Sequence, residues 1–354
     1  MNARRRAPRK GGSAVILHVK ASLRDYEAAI GNGSILRAGE LFDLDRKALV
    51  VTDDGVPEEY ARIVARAAKE PVVVTLPQGE SSKSVKSWQA LILRMMEEGF
   101  DRHDCVVAVG GGMVGDLAGF AASTFMRGID FYTVPTTVLA QVDASVGGKT
   151  ALNAGGVKNA VGAFYPPAKV LIDPELPKTQ TRRQRAAGLA EALKIAAACD
   201  AELFELFERE DPEKRVEEIV CRALQRKIEI VEKDEFDRGA RMILNFGHTL
   251  GHGVEAATKG KLYHGECVAL GMLPMSSEKV RGRLLSVYEK LGLPAAAVFD
   301  RADALEAVLH DKKAENGLYT AVVADKIGIC AFARFTAEEL EERLASLEKR
   351  RERT

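Results

Sequence analysis

The sequence is poor in the features that mark a specialised chain. It has five cysteines, one tryptophan and 6% aromatic residues among 354, and its 51 basic side chains are balanced by 51 acidic ones. Cys105, Cys199, Cys221, Cys267 and Cys330 are odd in number and include no C-x-x-C pair. Neither a disulfide framework nor a thiolate zinc site is indicated, and buried free thiols are expected. Zero net charge offers no global field for a polyanion, which argues against a dedicated nucleic-acid binder. No run approaches the roughly 18 apolar residues that span a bilayer. The opening MNARRRAPRKGGSA has a basic cluster with no apolar region after it. It reads as a disordered basic tail over 1–13 rather than a secretory leader. Internal repeats are also lacking. A soluble, cytoplasmic protein with neither a nucleic acid nor a membrane as partner is expected, long enough to bury one large core or two ordinary ones.

What is present is an alternation. AVILHV (14–19), ALVVT (48–52), PVVVTL (71–76), CVVAV (105–109), FYTVP (131–135) and VLID (170–173) are short, Val- and Ile-rich runs punctuated by Gly, Pro or Asp. Helical patterns lie between them, the clearest being the stripe Val85, Trp88, Ile92 and Met95, closed by Gly99. Strands alternating with helices predict a mainly parallel sheet covered on both faces, binding ligand at the carboxyl ends of its strands. After about Asp173 long helices take over: one from Thr181 to Asp200, one with Val216, Ile219, Val220, Ala223 and Leu224 on one face, and a last one. That last helix opens on a Thr336–Glu339 capping box and continues through Leu340, Leu344 and Leu347. An α/β domain over 14–175 and a mostly α-helical domain over 176–354 are predicted.

Three stretches carry chemistry. Gly110-Gly111-Gly112-Met113-Val114-Gly115-Asp116 fits G-x-G-x-x-G between a strand and a helix. There the backbone can approach a pyrophosphate at a helix N-terminus, although a tight turn alone would also use glycines. The acid expected about 20 residues on would be Asp130, which precedes its strand, so Asp53 is the better ribose partner. His18, His103 and His310 are isolated, whereas His248, His252 and His264 fall close together. His248 and His252 share a helical face, with Asn245 one turn earlier and Arg241 another turn back. Converging imidazoles suggest Zn²⁺ or a similar ion. Glu191, in the apolar segment AAGLAEALK, can add a carboxylate, and Lys194 lies on its face. Asp143, Lys149, Lys158 and Asn159 lie among glycines in a polar stretch suited to hydroxyl and phosphate recognition. GGKT there lacks the first glycine of a Walker motif, which excludes an ATPase of that kind.

Together, GGGMVGDLAGF, MRG, VPTTVLAQVDASVGGKTALN, GVKNAVGAFYPP, GLAEALK, RMILNFGHTLGHGVE, HGE and DKK occur in the order found in 3-dehydroquinate synthases, which the chain resembles from about Ala48 to Gly328. The resemblance implies an N-terminal NAD-binding domain, a helical metal- and substrate-binding domain, and a divalent metal, Zn or Co. It further implies conversion of the sugar acid phosphate DAHP to 3-dehydroquinate and phosphate, with catalytic NAD and no net redox. By it, Glu191, His248 and His264 are metal ligands, and His252 becomes an acid/base or substrate contact. Asp143, Lys149, Asn159, Lys194, Lys227, Arg241 and Asn245 match substrate contacts, and Lys312 or Lys313 closes on the substrate. Arg127 matches an arginine that reaches the neighbouring subunit's substrate, which implies a homodimer. NAD positions are Asp53, Gly79, Glu80, Gly111, Gly112, Met113, Asp116, Thr136, Thr137, Lys158, Thr179 and Thr181.

Three departures stand out. The usual L-P-x-R-E before the Glu191 helix lacks its Pro and has Gln184 for Glu. Asp237 stands where Glu is usual, and the segment with Thr320 lacks a common Arg. Competing readings are a valiolone- or deoxyinosose-type sugar phosphate cyclase and a metal-dependent NAD alcohol dehydrogenase. Asn245 and His252 favour dehydroquinate.

Overall fold

The computed structural model describes residues 14–311 and 315–349, so the basic tail over 1–13 lies outside the described residues. The chain forms two compact units that divide between Thr179 and Gln180. In the first, strands β1 (Val15–Val19), β2 (Tyr26–Ile30), β3 (Lys47–Asp53), β4 (Glu70–Leu76), β5 (Cys105–Gly110) and β6 (Asp130–Pro135) are followed by a hairpin. The hairpin pairs β7 (Lys149–Ala154) with β8 (Val157–Phe164), and β9 (Lys169–Ile172) completes the sheet. The seven-stranded sheet has the order β1-β2-β9-β6-β5-β3-β4, parallel throughout except at the β1–β2 edge.

Among its described residues this unit has the α-helices α1 (Ala38–Leu41), α2 (Glu58–Ala67), α3 (Val85–Glu97) and α4 (Gly112–Thr124). Burial on both faces explains the unbroken Val and Ile runs. Leu49, Val51, Val106 and Ala108 pack against Leu91 and Met95 of α3 and Leu117 and Ala121 of α4. Their alternates Ala48, Val50, Val107 and Val109 pack with Ala38 of α1 and Ala61 and Val64 of α2. The α3 stripe needs one correction. Val85 is exposed at the first turn, because the helix meets the core only from Trp88 onward. The polar stretch from Gln141 onward forms part of a π-turn (Ala140–Ala144) and the β7–β8 hairpin.

The second unit is helical, with α5 (Arg182–Cys199), α6 (Ala201–Arg209), α7 (Val216–Val231), α8 (His248–Thr258), α9 (His264–Met272), α10 (Glu278–Leu291) and α11 (Arg301–Asp311). A hairpin of β10 (Tyr319–Lys326) and β11 (Ile329–Phe335) precedes α12 (Ala337–Ala345), which starts on the Thr336–Glu339 capping box. Helices α5, α8 and α9 approach closely because glycines stand where they touch. A Cβ on Gly265 would lie 1.8 Å from the Ala187 carbonyl oxygen, and one on Gly271 2.0 Å from that of Gly247.

The same geometry makes a paired prediction. Gly265→Ala meets backbone that cannot swing aside and should lose about 3 kcal/mol or more. Gly282→Ala, in the exposed middle of α10 with nothing near its Cβ position, should instead gain up to about 1 kcal/mol from helix propensity and reduced chain entropy. Urea unfolding of the two variants beside the parent checks both signs.

Candidate functional site

Strand β3 is flanked by β4 on one side and β5 on the other. The chain thus reverses its direction of progress across the sheet there, leaving a crevice at the carboxyl ends of β3 and β5. Asp53 ends β3, and β5 ends at Gly110 and passes through Gly111 into α4, whose first turns carry Gly112, Met113 and Asp116. A Cβ on Gly110 would meet Val114 at 2.6 Å, so only glycine allows so tight a turn and leaves the helix N–H groups accessible. Thr136 donates its N–H to the Gly110 carbonyl at 2.9 Å, and the Thr137 hydroxyl accepts from Ala140 N–H at 3.2 Å. Asp53 is nearly buried, and desolvation raises its pKa. One of its oxygens already accepts the Gly55 N–H at 2.9 Å, which holds the loop after β3.

A second cluster joins the Gly79 loop to the β7–β8 hairpin. Gly79 (φ 109°) leads into a 3-10 turn over Glu80–Ser82, and the Glu80 carboxylate accepts from the Asn153 side-chain amide at 2.8 Å. Lys83 is 4% exposed; its ammonium lies 2.5 Å from Asp116 and donates to the Asn159 side chain. The Asn159 N–H in turn donates to the Asn153 side-chain oxygen at 2.8 Å. Glu80, Asp116 and Asn159, singled out in the sequence, are thus brought into one network by Lys83 and Asn153, which were not. Their signal is invisible in sequence, because a lysine in GESSKS looks solvated until the fold buries it. Lys149 and Lys158 lie exposed on β7 and β8, and Asp143 is half-buried in the π-turn. Arg127 is exposed, and both it (φ 68°) and Met126 (φ 48°) adopt left-handed backbone before Gly128. Two consecutive non-glycine residues in this region are strained, which is common where a side chain must be presented.

The second unit holds the clustered histidines. His248 and His252 lie one turn apart on α8 with ring centroids 5.2 Å apart, and His264 begins α9. Ligand atoms of the three lie within 4.8 Å of one another. Glu191, on α5, is fully buried; its Oε1 is 3.4 Å from His264 Nε2 and 3.9 Å from His248 Nε2. Lys194 Nζ lies 2.7 Å from Glu191 Oε2, yet neither carboxylate oxygen has an aligned hydrogen-bond donor. Burial would raise the Glu191 pKa, but Lys194 and the two imidazoles outweigh it and hold the carboxyl well below its usual range. Burial and the Lys194 charge push His248 down to about 3 despite Glu191. For His264 burial is overcome by the Glu191 and Glu255 carboxylates on either side of the ring, which raise it to about 10.

Lys194, Lys227 and Arg241 are buried cations. The elements carrying them, α5, α7 and the 3-10 turn Ala240–Asn245, pack together. Arg241 and Asn245 do not continue the α8 face as the spacing suggests. They lie on that 3-10 turn, which Phe246 and Gly247 (φ 79°) separate from α8. Arg241 is held by its own contacts: its guanidinium donates to the Glu235 carbonyl at 2.7 Å, and its N–H to Asp234 at 3.0 Å. Thr179 ends a 3-10 turn with its hydroxyl on the Leu176 carbonyl, and Thr181 caps α5 in a capping box with Gln184. Lys312 and Lys313 lie outside the described residues. Sequence reading also missed Arg183, Glu266 and Glu255. Arg183 grips the buried Glu266 carboxylate with two nitrogens at 2.6 and 2.7 Å while Glu266 caps the Tyr263 N–H at 2.8 Å, fixing the turn that presents His264. His18, His103 and His310 are exposed, as expected of incidental histidines.

Residues 73–187 match the family model described as 3-dehydroquinate synthase N-terminal, and 188–314 the one described as 3-dehydroquinate synthase C-terminal. The chain is 38% identical to the 3-dehydroquinate synthase of Pelobacter propionicus, over 92% of this chain and 97% of that one. It is 40% identical to that of Latilactobacillus sakei, over 88% and 93%. Among solved structures, 2-epi-5-epi-valiolone synthase from Streptomyces hygroscopicus with NAD+ and Zn2+ bound aligns at TM-score 0.81 and 27% identity, over 98% and 99% of the chains. A 2-deoxy-scyllo-inosose synthase complexed with carbaglucose-6-phosphate, NAD+ and Co2+ shares the fold, at TM-score 0.85 and 24% identity over 93% and 99%. Joined to the buried carboxylate, the histidine cluster and the glycine turn at the sheet's switch point, these matches establish that the chain belongs to the 3-dehydroquinate synthase family.

Proposed function

We propose that the chain is the phosphate-eliminating, carbocycle-forming lyase of this family, converting DAHP to 3-dehydroquinate and inorganic phosphate. The observation that carries the reading is Glu191. This fully buried carboxylate turns Oε2 to the Lys194 ammonium at 2.7 Å and Oε1 to two imidazole nitrogens at 3.4 and 3.9 Å, a spacing that a divalent cation among Oε1 and the two rings would satisfy. The donor set of one carboxylate and neutral imidazoles suits Zn²⁺ or Co²⁺, held by Glu191, His248 and His264. NAD is assigned to Asp53, Gly79, Glu80, Gly111, Gly112, Met113, Asp116, Thr136, Thr137, Lys158, Thr179 and Thr181, because the glycine turn at the α4 N-terminus fits a pyrophosphate. When bound, the pair supplies Lewis acidity at the substrate oxygens and a hydride acceptor that is regenerated within the turnover.

The chain's own residues position and neutralise. Lys149, Lys194, Lys227 and Arg241 offset the substrate's carboxylate and phosphate, the buried ones doing so where screening is weakest. Lys313, the neighbour of Lys312, is assigned to closing on the substrate. Asp143, Asn159 and Asn245 orient hydroxyl groups, and a ring nitrogen of His252 holds or moves a proton. Arg127 is assigned to the substrate of a second copy in a homodimer, a role its exposure and strained backbone support. Identities of 38 and 40% to the dehydroquinate synthases, against 24 and 27% to the two other cyclases, favour DAHP.

Phosphate release is expected from DAHP but not from sedoheptulose 7-phosphate, to require NAD⁺, and to stop on chelation; turnover of sedoheptulose 7-phosphate alone would transfer the chain to the other cyclases. His252→Ala should keep metal affinity within about threefold while kcat falls about 10²- to 10⁴-fold, whereas His264→Ala loses the metal. Metal affinity should also rise with pH. The His264 imidazolium, with its pKa at about 10, must lose a proton before its Nε2 can ligate, so Zn²⁺ affinity increases about tenfold per pH unit between 6 and 9. Competition titrations at pH 6, 7 and 8 that give a flat profile contradict this protonation assignment.

A further inference from the structure

Each candidate imidazole ligand has two nitrogens, and the one that binds a cation must be free of hydrogen. His264 sits between two carboxylates. Its Nε2 is 3.4 Å from Glu191 Oε1, and its Nδ1 is 2.9 Å from Glu255 Oε2. Once the ring ligates it keeps one hydrogen, and because the Glu255 carboxylate only accepts, that hydrogen belongs on Nδ1, which leaves the Nε2 lone pair for a cation on the Glu191 side. His248 repeats the arrangement more weakly, with Nδ1 3.3 Å from the Phe246 carbonyl oxygen and Nε2 facing Glu191 at 3.9 Å. The two rings therefore present the same nitrogen to the same carboxylate, one oriented by a backbone carbonyl and one by a charged side chain.

Glu255 reaches this position for a reason in the sequence. His248, His252 and Glu255 stand at i, i+4 and i+7 of α8 and so share one face. The ring it meets belongs to the first residue of α9, whose entry is fixed independently by the Arg183–Glu266 grip. Both ends of the bond are thus held by helices, and the Glu255 side chain is 20% exposed, too buried to be an ordinary surface acid.

We propose that Glu255 is a positioning residue of the metal centre, fixing the tautomer and orientation of His264 and raising its basicity toward the cation. This rests on the assignment of Glu191, His248 and His264 as the metal site. Partners of this kind are worth about 10- to 100-fold in metal affinity. The test uses the full chain, stripped of metal and titrated with Zn²⁺ against a chromogenic chelator. Glu255→Ala should bind Zn²⁺ about 10- to 100-fold more weakly. Glu255→Gln, whose amide oxygen still accepts the Nδ1 hydrogen without the charge, should fall between it and the parent. Nitrogen-15 spectra of the Zn²⁺-loaded parent should show His264 protonated at Nδ1. If the alanine variant does not fold, the isosteric glutamine variant alone decides, with a several-fold loss expected. Parent binding with unchanged affinity in the folded variants overturns the role of Glu255 alone. A lowered melting temperature with unchanged Zn²⁺ affinity does the same. A parent chain that takes up no Zn²⁺ overturns the metal assignment and this role together.

Discussion

A carboxylate with no access to water governs the helical unit. Glu191 is fully buried in the middle of α5, and the ionisable groups found within 4 Å of its carboxylate are basic: Lys194 one turn along the same helix, and His248 and His264 brought from α8 and α9. An ionised group in such surroundings persists only if its neighbours compensate it, and removing one partner leaves an uncompensated charge. The perturbed protonation of the cluster follows from this one placement. His264 is stabilised as a cation between two carboxylates, and His248 is kept neutral by its burial and by the Lys194 charge. A cation added among these nitrogens would relieve the carboxylate and take over the role that the His264 proton plays without it.

Such a cluster could not assemble if the helices packed at ordinary separation. Gly265 lets α9 start against the Ala187 carbonyl of α5, and Gly251 lets α8 approach the Cys267 carbonyl of α9, where a Cβ would be 2.8 Å away. The glycine in H-G-E is therefore part of the site although it carries no functional group. Its neighbours complete the design, because Glu266 both caps the helix and is gripped by Arg183, so His264 emerges from a turn fixed on either side. In the first unit the equivalent constraint is the Gly110 turn against Val114. In both units backbone proximity comes first, and side-chain chemistry is laid over it.

This order explains what can be read in the sequence and what cannot. The parallel sheet is legible because burial on both faces leaves runs such as ALVVT and CVVAV without polar interruption. Strand β2 (YEAAI), at the antiparallel edge, and the β7–β8 hairpin, mostly exposed along β8, lack that signal and escape detection. Glu191 stands out because an acid in GLAEALK conflicts with its neighbours, and the histidines because they crowd together. Lys83, Glu255 and Arg183 do not stand out. Each looks like an ordinary solvated charge, and its role comes from partners 33, 9 and 83 residues away. Local spacing also misleads at Arg241 and Asn245. Their distances from His248 suit an α-helix, but Gly247 in the left-handed region ends the turn and redirects the chain.

The departures from the family pattern can be weighed by the same physics. Gln184 still completes the α5 capping box, its Oε1 accepting the Thr181 N–H at 2.9 Å, and a neutral amide serves that bond as a carboxylate would, losing only the attraction to the helix dipole. Asp237 has φ 57°, a conformation that short Asx side chains tolerate better than longer ones. Thr320 is different. It borders a cavity of about 120 Å³ with Met242, Asn245, Thr249, Ala321, Val322 and Phe332. A long cationic side chain at that position would fill the cavity and place a charge beside Asn245, whereas threonine leaves the space open and neutral. Of the three departures only this one alters the surroundings of a proposed substrate contact. The other two are absorbed by a cap and a turn, so among these positions the space beside Asn245 is where a change of side chain at Thr320 would be felt.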